Sequence, residues 1–169
     1  EQLIVIIKIR GYKNFMTNIY LNIYNNLIKL TRNKMLYIPN KQDTFYDRMI
    51  VLFFHLGFLL KIYKKKESKD NLQNFFDYCI RQIELSIREI GYGDATINKK
   101  MKDYVNLLFS IIDKIDNWDD KDHDEKLQII KIYIEDSSNC NNYLEYFEKF
   151  RVFLSKNTFN NLTKDILTQ

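Results

Sequence analysis

The chain has 169 residues, of which 46% are hydrophobic, 15% aromatic and 28% charged, with a net charge of +4. These fractions exclude an intrinsically disordered polymer and allow one domain to bury a core without disulfides or metals. A single Pro and four Gly are too few for the tight turns of an all-β protein, so the expected fold is all-α, a single bundle of about five to seven helices.

Cys79 and Cys140 are far apart in sequence, so reduced thiols are expected rather than a disulfide framework. Lys outnumbers Arg 20 to 6, Asn occurs 18 times and Ala95 is the only alanine. This is a bias toward AT-rich codons, so part of the basic balance is codon drift.

In chain order, the first feature is Leu3–Ile9, an apolar stretch that reads as the stub of a signal, a strand or mistranslated upstream sequence. Lys8 and Arg10 follow its apolar part instead of preceding it, the wrong side for a signal peptide. From Lys13 to Leu30, Phe15, Ile19, Ile23, Leu27 and Leu30 recur at three- and four-residue steps and predict one helical stripe. Residues 32–41 connect, with Pro39 as the stop. Thr44 and Asp47 form a capping-box pattern. The longest apolar run, Met49–Leu60, holds twelve residues, short of the roughly 18 that span a bilayer, and predicts the most buried helix of the fold.

After the charged connection Lys64–Lys69, Ser68 or Asp70 can cap a helix whose stripe runs from Leu72 through Phe75, Cys79, Ile83 and Ile87 to Ile90. Gly91 is expected as a left-handed cap, Gly93 and Asp94 as a tight corner, and Thr96 as the start of the next helix, the two stripes forming a helical hairpin. Residues 116–125 read as an acidic loop. Leu127, Ile130 and Ile134 suggest a short helix ending near 137–142, followed by helical pieces at Tyr143–Leu154 and Phe159–Leu167. Charge is uneven: residues 1–115 sum to +8 and residues 116–169 to −4. Three segments follow: an undetermined residues 1–12, a helical core at 13–115, and an acidic linker with C-terminal helices at 116–169 packed on the same domain.

Motifs for common chemistries are absent. The chain has no P-loop, GxSxG, HExxH or CxxC. Gly91-Tyr92-Gly93 follows a predicted helix, so a helix-to-helix corner is the better account than a phosphate loop. Asp120, Asp122 and Asp124 match the first ligands of a calcium loop, but Glu125 and Lys131 stand where Gly and a bidentate Glu are needed. His123 lacks a second His or Cys nearby for zinc. His55, inside the apolar helix, is expected as a core histidine, and Cys79 as an inert buried thiol. A di-metal bundle site would need a Glu three residues before a His, and neither His55 nor His123 has one. No enzyme activity, metal or cofactor is therefore expected. The lysine clusters 64–66 and 99–102 have two readings, solvated surface or contact with a phosphate-bearing surface.

Arg88-Glu89-Ile90-Gly91-Tyr92-Gly93-Asp94, followed by Lys99, Lys100, Met101 and Lys102, resembles the corner of the ubiquinol–cytochrome c chaperone family. The segment from Ile50 through His55 to Leu60 is similar to that family's apolar helix with an internal His, and Phe76, Asp77 and Glu84 fit its pattern. Departures are Ile90 for the common Met, Lys61 for Arg, and Phe109 alone for a Phe-Tyr pair. The similarity runs from about Tyr20 to Ile115.

The resemblance implies a non-enzymatic assembly factor for complex III. Its partners would be newly made cytochrome b or another complex III subunit, with a small partner subunit also possible. Arg88, Glu89, Gly91, Gly93, Asp94, Lys99 and Lys102 are the candidate partner-binding residues, and His55 is a buried residue of the pattern. The basic first part is the candidate contact with a ribosome surface or an anionic membrane. The alternative function is a basic helical module binding ribosomal RNA or another nucleic acid. The chain is short and shows no Arg-rich leader, so the expected setting is the bacterial cytoplasm at the inner-membrane face. The mitochondrial matrix side is the alternative.

Overall fold

Helix α2 (Phe45–Tyr63) is the axis on which the other elements pack. Every residue from Met49 to Leu59 is buried, as an all-round apolar helix requires. Its start is set by Thr44, whose side chain accepts from the Asp47 backbone N–H at 3.1 Å while Asp47 accepts from the Thr44 N–H at 3.1 Å. The computed structural model describes residues 2–36, 44–134 and 137–164, with side chains from residue 13 onward except those of 35 and 137. Pro39 and residues 165–169 lie outside the described residues.

Around α2 stand α1 (Gln2–Thr31), α4 (Asp94–Lys114) and α6 (Cys140–Lys156). Helix α3 (Lys69–Glu89) packs on α1 and α4, and α5 (His123–Tyr133) packs on α6. The chain is all-α: no strand occurs among the described residues. No helix of the described residues is long and apolar enough to cross a membrane.

Helices α2 and α4 run in the same direction, because Phe53 meets Tyr104 near one end and Lys61 pairs with Asp116 near the other. Gly57 permits their close approach: a Cβ there would lie 3.0 Å from the Ile115 Cδ1 and 3.6 Å from the Ile112 Cγ1. Helix α6 also runs parallel to α2, with Phe147 against Phe54 and Phe58, and with the Tyr63 hydroxyl donating to the Leu154 and Asn157 carbonyls at 3.0 and 2.8 Å. The 3₁₀ turn Phe159–Thr163 returns along α1. There the buried Asn26 Nδ2 donates to the Leu162 and Lys164 carbonyls, both at 2.8 Å.

The structure corrects several expectations. Leu3–Ile9 is not a strand, since the α1 backbone is helical from Gln2. Phe15, expected on the buried stripe, is exposed, and burial begins at Ile19. Ile90 is exposed because α3 ends at Glu89 and Ile90 is its cap residue. Helix α4 begins at Asp94 with Gly93 as the cap, two residues before Thr96. Residues 116–125 are more ordered than a loop: Trp118 is buried in a 3₁₀ turn (Trp118–Asp120), and Asp122 closes a capping box with Glu125 that starts α5 at His123. Asp122 thus serves a helix start in place of a calcium loop. Helix α5 ends at Tyr133, α6 already begins at Cys140, and the piece expected from Phe159 is a 3₁₀ turn over Phe159–Thr163, its expected end at Leu167 lying outside the described residues.

Candidate functional site

The α3–α4 corner is built from the sequence outward. Ser68 caps α3 by accepting from the Asn71 N–H at 3.1 Å, and the helix then runs to Glu89. Gly91 follows with φ +96°, a left-handed conformation that favours glycine. Gly93 is extended, so its lack of a side chain is not demanded by backbone strain. Arg88 pairs across the turn. Arg88 donates to Asp94 Oδ1 at 2.8 Å through Nη1, and to Glu84 Oε1 at 3.1 and 2.9 Å through Nε and Nη2. These hydrogen bonds, Asp94 first and Glu84 second, push the Arg88 pKa up. Both pairs are solvent-exposed, so they orient the corner more than they stabilise it.

Glu89, Gly91, Gly93, Lys99 and Lys102 are all exposed, and among the described residues Glu89, Lys99 and Lys102 join no ion pair. The corner therefore presents one braced guanidinium and several unbraced charges. Beside them Tyr92 stands 43% exposed, with the Lys100 ammonium 4.7 Å from its ring centroid.

The sequence suggested aromatic residues beneath this rim but did not say which. Phe45 and Tyr46, in the first turn of α2, are exposed, and the Phe45 ring lies 6.3 Å from that of Tyr104 on α4. Burial raises the Tyr104 pKa, and the nearby phenols of Tyr92 and Tyr46 add to the shift. Tyr46, Tyr92 and Tyr104 thus share one neighbourhood. The only sequence signal was that Phe45 and Tyr46 precede the buried stretch of α2, at a position a stripe argument ignores.

His55 belongs to a different place. It is fully buried on the α6 side of α2, with Nδ1 at 2.7 Å from the Val51 carbonyl and Nε2 at 2.6 Å from the Tyr146 hydroxyl. The carbonyl can only accept, so Nδ1 carries the proton and Nε2 accepts from Tyr146. Burial lowers the His55 pKa to about 4, against a small opposing effect of the Val51 bond. The ring is a neutral core group, edge-on to Phe147 and Phe150. Burial pushes the Cys79 thiol well up, which keeps it protonated. Among the described residues no group of three His, Cys, Asp or Glu side chains is gathered to hold a metal ion.

A corner of exposed charges, one of them braced, beside exposed rings on a helical bundle is equipped to bind another macromolecule. The family model described as ubiquinol-cytochrome C chaperone matches residues 40–130, more than half of the chain, and the chain belongs to that family. The match spans α2, α3, α4 and the whole corner between them. No curated protein and no solved structure matches the chain. Family membership supports a chaperone or assembly role.

Proposed function

We propose that the protein is a non-enzymatic assembly factor that binds newly made cytochrome b and promotes assembly of ubiquinol–cytochrome c reductase, at the membrane face where that subunit is inserted. The observation that carries this reading is the family match over residues 40–130. Before haem and partner subunits cover it, such a client exposes apolar helix faces. A chaperone must shield them reversibly, with an affinity modest enough to release. Exposed rings rimmed by charge meet both requirements. Phe45, Tyr46 and Tyr92 offer apolar area with little rotamer entropy to lose, and the braced Arg88 offers a preset donor.

The test is a reduced-minus-oxidised spectrum of membranes from cells lacking the gene, beside the complemented strain. The expected result is a smaller cytochrome b band of complex III with the terminal oxidases unchanged. A normal complex III band overturns the proposal. A photo-crosslinker placed at Tyr92 then tests the surface, with cytochrome b as the expected adduct.

A further inference from the structure

One end of the molecule is distinct in charge and apolarity from the α3–α4 corner. Between residues 2 and 42 the sequence holds seven Lys or Arg and no Asp or Glu. Helix α1 alone carries Lys8, Arg10, Lys13 and Lys29 without one acidic residue, and Leu3–Ile9 is the most apolar part of it. The direction of α1 says where this segment goes. Tyr20 meets Asn71 and Phe75 near the start of α3, and Tyr24 meets Tyr78 further along, so α1 and α3 run parallel. Going back from Ile19, the first buried side chain among those described, α1 continues for seventeen residues to Gln2, about 25 Å at 1.5 Å per residue. Helix α3 begins only two residues before Asn71, at Lys69. The N-terminal half of α1 therefore continues beyond the end of the bundle where α2 and α6 finish and α3 starts.

That same end carries Lys64, Lys65, Lys66, Lys69 and Lys156, all exposed. Lys66 donates to the Ser155 carbonyl at 2.7 Å, which ties the α2–α3 connection to the last turn of α6. The acidic groups in and beside this stretch include Glu67, Asp70 and Asp116. Of these, Glu67 accepts from Asn71 and Asp116 is paired with Lys61. Phe15, 59% exposed, lies on α1 between the bundle and the apolar stretch, with Lys13 two residues before it.

We propose that this end docks on an anionic phospholipid bilayer: the apolar N-terminal part of α1 enters the interface, and Lys8, Arg10 and Lys13 of α1 with the lysines of the α2–α3 connection rest on the headgroup phosphates. An apolar helix followed by cations, with no anion in the helix, matches the charge and polarity gradient of such a surface. No described helix is long and apolar enough to cross a membrane, and the contact proposed is interfacial. A nucleic acid shares the phosphate but offers nothing to Leu3–Ile9 and Phe15, and this decides between the two. The inference rests on the course of α1, not on the identity of the client. A normal complex III in the deletion strain leaves it standing, and failure on vesicles leaves the assembly role standing.

The test uses the purified full chain, co-floated with phosphatidylcholine vesicles and with phosphatidylcholine–phosphatidylglycerol vesicles over a salt series. Binding is expected only to the anionic vesicles and to weaken as salt rises. Lys64→Gln/Lys65→Gln should weaken it about fivefold for each lysine removed. Both side chains are exposed, so a circular-dichroism melt should match the wild type. Ile6→Asn should weaken anionic binding without creating binding to neutral vesicles. Equal binding to both vesicle types, or none to either, overturns the proposal. So does salt-sensitive binding to a polyuridine RNA with no binding to anionic vesicles.

Discussion

His55 shows how a titratable group becomes a packing group. Its two ring nitrogens are both satisfied, by the Val51 carbonyl and the Tyr146 hydroxyl, only while the ring is neutral. The folded pKa of about 4 lies below the ordinary 6.5. In the unfolded chain the ring therefore binds a proton between those values, and in the fold it does not. The stability from this residue is complete above about pH 6.5 and is lost as pH falls toward about 4. The slope is about 1.4 kcal/mol per pH unit, a total of roughly 3 kcal/mol. Urea melts over that range should show the loss, and the His55 ring resonances should stay flat down to about pH 5. A ring titrating near its ordinary pKa contradicts the assignment. Tyr146→Phe takes away the donor to Nε2 and should lower stability by about 1–2 kcal/mol, read as a lower urea midpoint at unchanged slope.

At the scale of elements, stripes and caps were legible in the sequence and orientations were not. The apolar stretch of α2 announced its burial, and Thr44 with Asp47 announced its first turn, because both are local physics. Phe15 fitted the stripe of α1 by spacing, yet it is exposed while its neighbour Met16 packs against the core, so the packed face at this level of α1 is not the one the spacing selected. Which rings floor the corner escaped for a related reason: Phe45 and Tyr104 are brought together by the parallel course of α2 and α4, which no spacing within either helix encodes.

Gly57 is the residue that makes that course possible. Gly57→Ala places a methyl 3.0 Å from the tip of the Ile115 side chain. The crowding is set against a helix-propensity gain of about 1 kcal/mol, so the net change should stay within about 1 kcal/mol. Gly57→Leu has no such relief and should cost about 3 kcal/mol or prevent folding. The two corner glycines should separate in the same assay. Gly91→Ala forces a left-handed alanine with no neighbour within 4 Å and should cost about 1 kcal/mol from backbone strain alone. Gly93→Ala, at an ordinary φ of −69°, escapes that strain and should lose only the N-cap preference for glycine over alanine, about 0.5 kcal/mol. If Gly93→Ala nonetheless lowers complex III in cells while its melt is unchanged, the small side chain matters to the client and not to the fold.

The whole molecule is larger than the segment that carries the family resemblance. The match ends at residue 130, but α2 is enclosed only with α1 and α6 in place. Helix α6 buries Tyr143, Leu144, Phe147, Phe150 and Leu154 against the rest of the core, and α1 buries Ile23, Leu27 and Leu30. At about 1.5–3 kcal/mol for each large apolar side chain removed from water, the α6 face alone contributes roughly 10 kcal/mol, comparable to the whole stability of an ordinary domain, about 5–15 kcal/mol. Loss of α6 also exposes His55, which leaves Nε2 to water and removes the two rings that pack edge-on against it. A fragment of residues 40–134 should therefore retain helical far-UV dichroism while losing near-UV signal and a cooperative melt, and it should bind a hydrophobic dye. A fragment of residues 13–164 should melt cooperatively. A cooperative, dye-silent 40–134 fragment would show that the corner hairpin and α2 form a core of their own, with α1 and α6 as additions to a smaller folding unit.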